Sequence, residues 1–342
     1  MDHQVFKKMV AAAGFCVLLG AGGTVAVHAQ SETVPVQDAI EQIEASSYIP
    51  EIEQVLGGLD RIVQAAPPPA APVIADNTFD PQPRIDPGQT QTVELAAIDG
   101  TSRRYVIHVG SKYNPEKPEP IPVLFAFHGW RQSIEEFMES SRFHTTAAWD
   151  DAIVIYPEGV DGAWESAPYA TGRPGKDIAY VQQILAQLDD DYLVDKHRIY
   201  AAGFSNGGGM AAVLGCHAPG TFAAFASVAG AYYQPVNLGC KTSAIPSMVI
   251  HASDDPIVSY RGGPRNRGKL LPALEVSHQY AYRNGCDATP PVVSDVPGGQ
   301  RLSFNGCSAA TQHVRFNSAE HIWVGGEDTS DMVWDFLSAQ SR

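Results

Sequence analysis

Short, mostly apolar runs recur along residues 123–316, and they constrain the fold more than any other feature of the chain. They are Val123–Phe127, Ala152–Tyr156, Arg198–Ala202, Phe222–Val228, Met248–Ile250 and His313–Phe316, each followed within a few residues by Gly, Ser or Asp. Such runs are too short for helices and too continuous for strands with one wet face, so they read as strands buried on both sides. Helical stretches such as Asp177–Leu188 lie between several of them. Alternation of this kind predicts an α/β domain with a mostly parallel central sheet and helices on both faces. Two alternating, β-branched runs, Gln91–Ile98 and Arg103–Val109, precede this series and are joined by Asp99-Gly100, which predicts a hairpin. No internal repeat is visible. In sheets of this type reactive residues gather at the carboxyl ends of the strands.

The domain begins near residue 89 and runs to 342. Before it, residues 1–29 read as a secretory signal peptide. Lys7 and Lys8 form its positive end, Met9–Val27 is apolar and small, and Val27-His28-Ala29 fits a cleavage site. A retained anchor is the competing reading. Residues 30–88 read as one or two short helices followed by a Pro-rich tether, Ala65–Pro72, or else as a pro-segment or lid. With 38 acidic and 23 basic residues the formal charge is −15, which argues against nucleic acid and against a surface that clings to anionic lipid. An exported, extracellular or envelope protein with no stable membrane insertion after cleavage is expected. Removal of the signal leaves Cys216, Cys240, Cys286 and Cys307, an even number that suggests disulfides. Four cysteines allow three pairings and sequence does not choose among them, although nearest neighbours are the first expectation. No Cys or His cluster has metal-ligand spacing, so no metal and no cofactor is expected.

The chemistry-bearing motif is Gly203-Phe204-Ser205-Asn206-Gly207. It follows the strand Arg198–Ala202 and precedes a small-residue helical stretch, which is the strand–turn–helix context that G-x-S-x-G needs to present a nucleophilic serine. Acid and base should then follow in that order along the chain, after later strands. Asp255 lies just past Met248–Ile250 and is preferred over Asp254, which reads as a turn residue. His321 lies beyond His313–Phe316 and before a final helix at Asp328–Ala339. His313, at the start of its strand, is expected at the opposite end of the sheet. Backbone N–H groups of Asn206 and Trp130, the latter after Val123–Phe127, are the candidate oxyanion hole. His128 reads as a structural histidine beside it.

These residues resemble the secreted feruloyl esterase and polyhydroxybutyrate depolymerase family of α/β-hydrolases. The similar stretches are FAFHGW (125–130), YPEGVDGAW (156–164), KDIAYVQQILAQL (176–188), YLVDKHRIYAAGFSNGGGMAAVLGC (192–216), FAAFASVAGA (222–231), HASDDPIVSY (251–260), YRNGC (282–286) and EHIW (320–323). The resemblance implies Ser205 as nucleophile, Asp255 as acid and His321 as base. It also implies disulfides pairing Cys216 with Cys240 and Cys286 with Cys307. Ala252 stands where a glycine is usual, Ala319-Glu320 replace two glycines and Val324 replaces a proline, so the surroundings of His321 depart from the family pattern.

The implied activity is hydrolysis of carboxylic esters through an acyl-enzyme, with Trp130, Trp164, Tyr169 and Trp323 as candidates for an aromatic substrate pocket. Hydroxycinnamate esters, hydroxybutyrate oligomers and envelope acyl esters, whether small molecules or linked to polysaccharide, all suit such a site. The same triad could pass an acyl group to an alcohol rather than to water. A peptidase or a non-catalytic binding protein on the same fold are the remaining readings.

Overall fold

The computed structural model describes residues 15–19, 25–29 and 85–342, apart from residues 98–99, 173, 234–235, 318–319 and 324–326. The chain divides into two compact units, Met1–Asn77 and Thr78–Arg342. In the first, β1 (Phe15–Leu19) pairs antiparallel with β2 (Val25–Ala29), with Phe15 opposite Ala29. The rest of the expected signal peptide and the tether up to residue 84 lie outside the described residues. No helix among the described residues is long and apolar enough to cross a membrane.

The second unit starts with the expected hairpin, β3 (Thr90–Ala96) and β4 (Ser102–Val109). There follow β5 (Ile121–Phe127), α1 (Ile134–Ser141), α2 (Ala148–Asp151), β6 (Ile153–Pro157), α3 (Lys176–Asp191), β7 (Val194–Phe204), α4 (Asn206–His217), β8 (Ala224–Val228) and β9 (Ser247–Ala252). The remainder is β10 (Gly263–Arg265), β11 (Gly268–Leu270), α5 (Ala273–Arg283), β12 (Val292–Val296), β13 (Gly299–Ser303), β14 (Thr311–Phe316) and α6 (Glu327–Ser338). One sheet runs in the order β12-β13-β14-β9-β8-β7-β5-β6-β4-β3. Its six central strands are parallel, and β3–β4 and β12–β13 close the edges antiparallel. In the edge pair β12 is exposed along most of its length and β13 is half-buried, and both mix polar with apolar residues, so neither carries an apolar run for sequence reading to find.

Strand β5 shows why both faces must be covered. Val123, Phe125 and Phe127 join the core under α3, α4 and α5, with Tyr180, Leu214 and Tyr280. The intervening Leu124 and Ala126 join the core under α1 and α6, with Phe137, Trp334 and Leu337. The two-residue period of a strand delivers alternate side chains to opposite layers, and a strand buried on both sides therefore reads as apolar throughout. From β5 the chain moves to β6 on one side and later to β7 on the other. This reversal of winding opens a crevice between the carboxyl ends of β5 and β7, the usual place for a ligand.

Candidate active site

The turn from β7 into α4 crosses that crevice. Ser205 sits there at φ 53° and ψ −115°, a conformation that non-glycine residues rarely adopt. Its backbone is held from several sides. The Ser205 N–H donates to Val228 O at 3.0 Å, and Ser205 O accepts from Ala231 N at 2.8 Å and Gly209 N at 3.0 Å. The two flanking glycines have steric reasons. A Cβ at Gly203 would lie 2.2 Å from Gly207 O, and one at Gly207 would lie 2.1 Å from Phe127 O. Any side chain at either position would push β7, α4 and the loop after β5 apart.

Asn206, the first residue of α4, is fully buried and clamps a distant loop to this turn. Its Oδ1 accepts from Trp164 N at 2.8 Å, and its Nδ2 donates to Ser166 Oγ at 2.8 Å. The side chain is thereby used for architecture, and its backbone N–H makes no hydrogen bond to another described residue. The same holds for Trp130 N–H in the loop after β5. That loop is shaped by Gln132, whose Oε1 accepts from Gly129 N at 2.9 Å, and by His128. His128 is buried, with Nδ1 2.7 Å from Gly129 O and Nε2 accepting from Gly159 N at 3.0 Å. These partners assign the proton to Nδ1. Burial pushes the imidazole down to about 4, so it stays neutral, in keeping with a structural role.

Three sequence-predicted residues from separate strand ends meet at this point. His321 Nε2 is 2.8 Å from Ser205 Oγ, and its Nδ1 is 2.7 Å from Asp255 Oδ2. The Phe204 ring lies against the imidazole, centroids 4.9 Å apart. Asp255 follows β9, and its Oδ1 accepts from the N–H groups of Ile257 and Val258, each at 2.8 Å. Burial opposes its charge, but hydrogen bonds from His251 and His321 outweigh burial and hold the carboxyl well below the usual carboxylate range. His313 is elsewhere, between Tyr260 Oη at 2.9 Å and Ser277 Oγ at 2.8 Å, and burial pushes it down to about 3.

Beside Ser205 and His321 lies a cleft of about 150 Å³. Of the four aromatic residues expected to line it, Trp130 and Tyr169 do, with ring centroids 4.3 Å apart. Trp164 and Trp323 do not, which corrects the sequence expectation. Trp164 is fully buried, its Nε1 donating to His128 O at 2.9 Å and its ring edge-on to Phe127. Trp323 packs between Phe137 and Phe143 and donates to Ser330 Oγ at 2.9 Å. Both indoles satisfy their N–H inside the protein, which suits them to the core. Glu320 is exposed and is not part of the cleft wall.

Sequence reasoning missed Phe204, Tyr233, Val258, Arg265 and Asn266 of that wall, and His251 behind Asp255. Phe204 and Val258 were findable, being close to predicted site residues. Tyr233, Arg265 and Asn266 come from segments that only the folded chain brings to the cleft. The cysteines pair as 216–240 and 286–307, joining the end of α4 to the segment after β8 and the end of α5 to the turn before β14.

Residues 113–260 match the family model described as "Esterase PHB depolymerase". Feruloyl esterase C of Emericella nidulans is 26% identical over 267 residues, 74% of this chain and 90% of that protein. A putative esterase, NocK, of Nocardia uniformis subsp. tsuyamanensis is 28% identical over 288 residues, 76% of this chain and 83% of the relative. Among solved structures, an acetyl xylan esterase from Aspergillus awamori superimposes with a TM-score of 0.56 at 17% identity, covering 73% of this chain and 99% of that one, a likeness of fold.

Proposed function

We propose, for a chain that is a carboxylic ester hydrolase of the feruloyl esterase and polyhydroxybutyrate depolymerase family of α/β-hydrolases, a serine acyl-transfer mechanism centred on Ser205. The observation that carries this reading is the unbroken relay Ser205–His321–Asp255, at 2.8 and 2.7 Å, opening onto the cleft.

In this mechanism Ser205 Oγ attacks the ester carbonyl carbon while its proton passes to His321 Nε2. The carbonyl oxygen becomes an oxyanion held by the unengaged N–H groups of Trp130 and Asn206, the second at the positive end of α4. Asp255 keeps the Nδ1–H tautomer and stabilises the imidazolium. Collapse of the tetrahedral intermediate breaks the bond to the alkoxy oxygen, which leaves as the alcohol with the proton from Nε2. Water then gives a proton to Nε2 and its oxygen to the acyl carbon. Loss of Ser205 Oγ, which takes that proton back, releases the acid.

The acyl group we assign to this cleft is aromatic, of the hydroxycinnamate type. Trp130, Tyr169, Tyr233 and Phe204 line it, and a space of about 150 Å³ suits one aromatic ring. Feruloyl esterase C being among the relatives supports the same assignment. Export is part of the proposal: residues 1–29 as a cleaved signal, residues 30–88 as a tether and 89–342 as the catalytic domain, with two disulfides that persist in oxidising compartments.

Hydrolysis of p-nitrophenyl butyrate and methyl ferulate, beside Ser205→Ala, tests the reading. Both esters should be cleaved, and the variant should lose roughly 10⁴-fold or more in kcat. Cleavage of the short ester alone removes the aromatic acyl assignment. An active Ser205→Ala removes the mechanism.

A further inference from the structure

The segment between Asp255 and Glu275 contains no acidic residue and four cations, Arg261, Arg265, Arg267 and Lys269, in a chain whose formal charge is −15. It folds into the β10–β11 hairpin. Asn266 and Arg267 form the tight turn at φ 46° and 64°. Register decides which cation faces the protein. Pro264 pairs with Lys269, and both are exposed. Arg265 pairs with Gly268 and so shares its face with Leu270, which is buried against Ala231, Tyr233 and Val258. The hairpin is pressed onto the cleft wall, for a Cβ at Gly268 would lie 2.8 Å from the Tyr233 ring. Arg265 is therefore the cation of the inner face, and it lines the same cleft as Ser205 and His321. Among the described residues no carboxylate pairs with Arg265 and no acceptor takes its hydrogen bonds. Its charge acts on the Tyr169 phenol, against the rise that burial imposes.

A half-buried guanidinium with an unused donor fork, beside a reactive centre, is matched by a carboxylate on the ligand. We propose that Arg265 receives a carboxylate carried by the ester that Ser205 cleaves, so that this site prefers acidic esters. The proposal rests on the serine esterase mechanism above, not on the aromatic acyl assignment, and adds a charge preference to the esters that this mechanism cleaves. The exposed Arg261, Arg267 and Lys269 add a positive rim to an otherwise acidic protein, which draws anions toward this mouth. The carboxylate could belong to the acyl half, as in a diacid half-ester, or to the alcohol, as in an ester of a hydroxy acid.

The two sources are separated with matched probes. Methyl hydrogen adipate is compared with methyl hexanoate, and 3-acetoxybutanoate with its methyl ester. The readout is the ratio of kcat/KM for the acidic over the neutral probe, in wild type, Arg265→Gln and Arg265→Lys. The ratio for one pair should exceed one in wild type and fall about tenfold in Arg265→Gln. Arg265→Lys, which keeps the charge and loses the fork, should lie between. Raising the salt should shrink the wild-type ratio, a measurement that needs no variant. Ratios at or below one for both pairs, or unmoved by Arg265→Gln and by salt, overturn the proposal while leaving the esterase reading intact. If Ser205→Ala cleaves these esters as well as wild type, the esterase reading falls and the proposal falls with it.

Discussion

His251 lies behind Asp255, with its Nε2 3.4 Å from the same Oδ2 that faces His321 and 2.8 Å from Val258 O. Asp255 is thus held from two sides, by an imidazole in front and one behind. We expect His251→Ala to lower kcat about tenfold with KM little changed, because Asp255 then aims His321 less well. A rise in KM alongside the fall in kcat, or loss of the fold by circular dichroism, would mark His251 as structural only.

Gly207 faces the carbonyls of Phe127 and His128 at distances no Cβ tolerates. Gly207→Ala should cost about 3 kcal/mol or more in urea unfolding, since backbone from two elements must move. Gly220, where an added methyl group would meet nothing within 4 Å, is the control, and Gly220→Ala should change stability by less than about 1 kcal/mol.

Arg103 and Asp177 form a buried ion pair at 2.8 Å, and Arg103 also stacks over the Tyr180 ring, 3.7 Å from its centroid. Asp177 Oδ2 accepts from Glu165 N at 2.7 Å, next to the Trp164 loop that Asn206 clamps. Asp177→Ala leaves a buried cation unpaired and should cost roughly 3–5 kcal/mol. Adding Arg103→Met in that background should recover part of the loss, read by the same denaturant titration. A greater loss in the double variant would contradict the account.

Stability should fall on acidification below about pH 6.5. Burial holds His128 at about 4 and His313 at about 3 in the folded chain, while the unfolded chain takes up these protons near 6.5. Between those values the unfolded state binds more protons, so stability drops as pH falls. Glu165 works in the opposite sense. Burial raises it to about 7, so the folded state holds its proton longer and loses stability as pH rises from about 4.5 to 7. Glu165→Gln should therefore steepen the acid-side fall in melting temperature, and a flatter profile would refute that sign.

The parallel sheet, the turn around Ser205 and the chain order of Ser205, Asp255 and His321 are legible in the amino-acid order alone. Each of these leaves a local trace: continuous apolar runs for strands buried on both faces, glycines where two backbones touch, and polar residues just past strand ends. Strand β7 starts four residues before its predicted start, because Val194–His197 is partly exposed and mixed in polarity. Which aromatics face the cleft is settled only when the chain is folded. Trp130 and Trp164 are alike as residues, yet Trp164 is turned inward by its hydrogen bond to His128 O and by the clamp from Asn206. The same is true of Arg265, whose direction depends on hairpin register and on the press of Gly268 against Tyr233. A side chain's role in a cleft is set by contacts between segments far apart in the chain, and local periodicity carries no record of them.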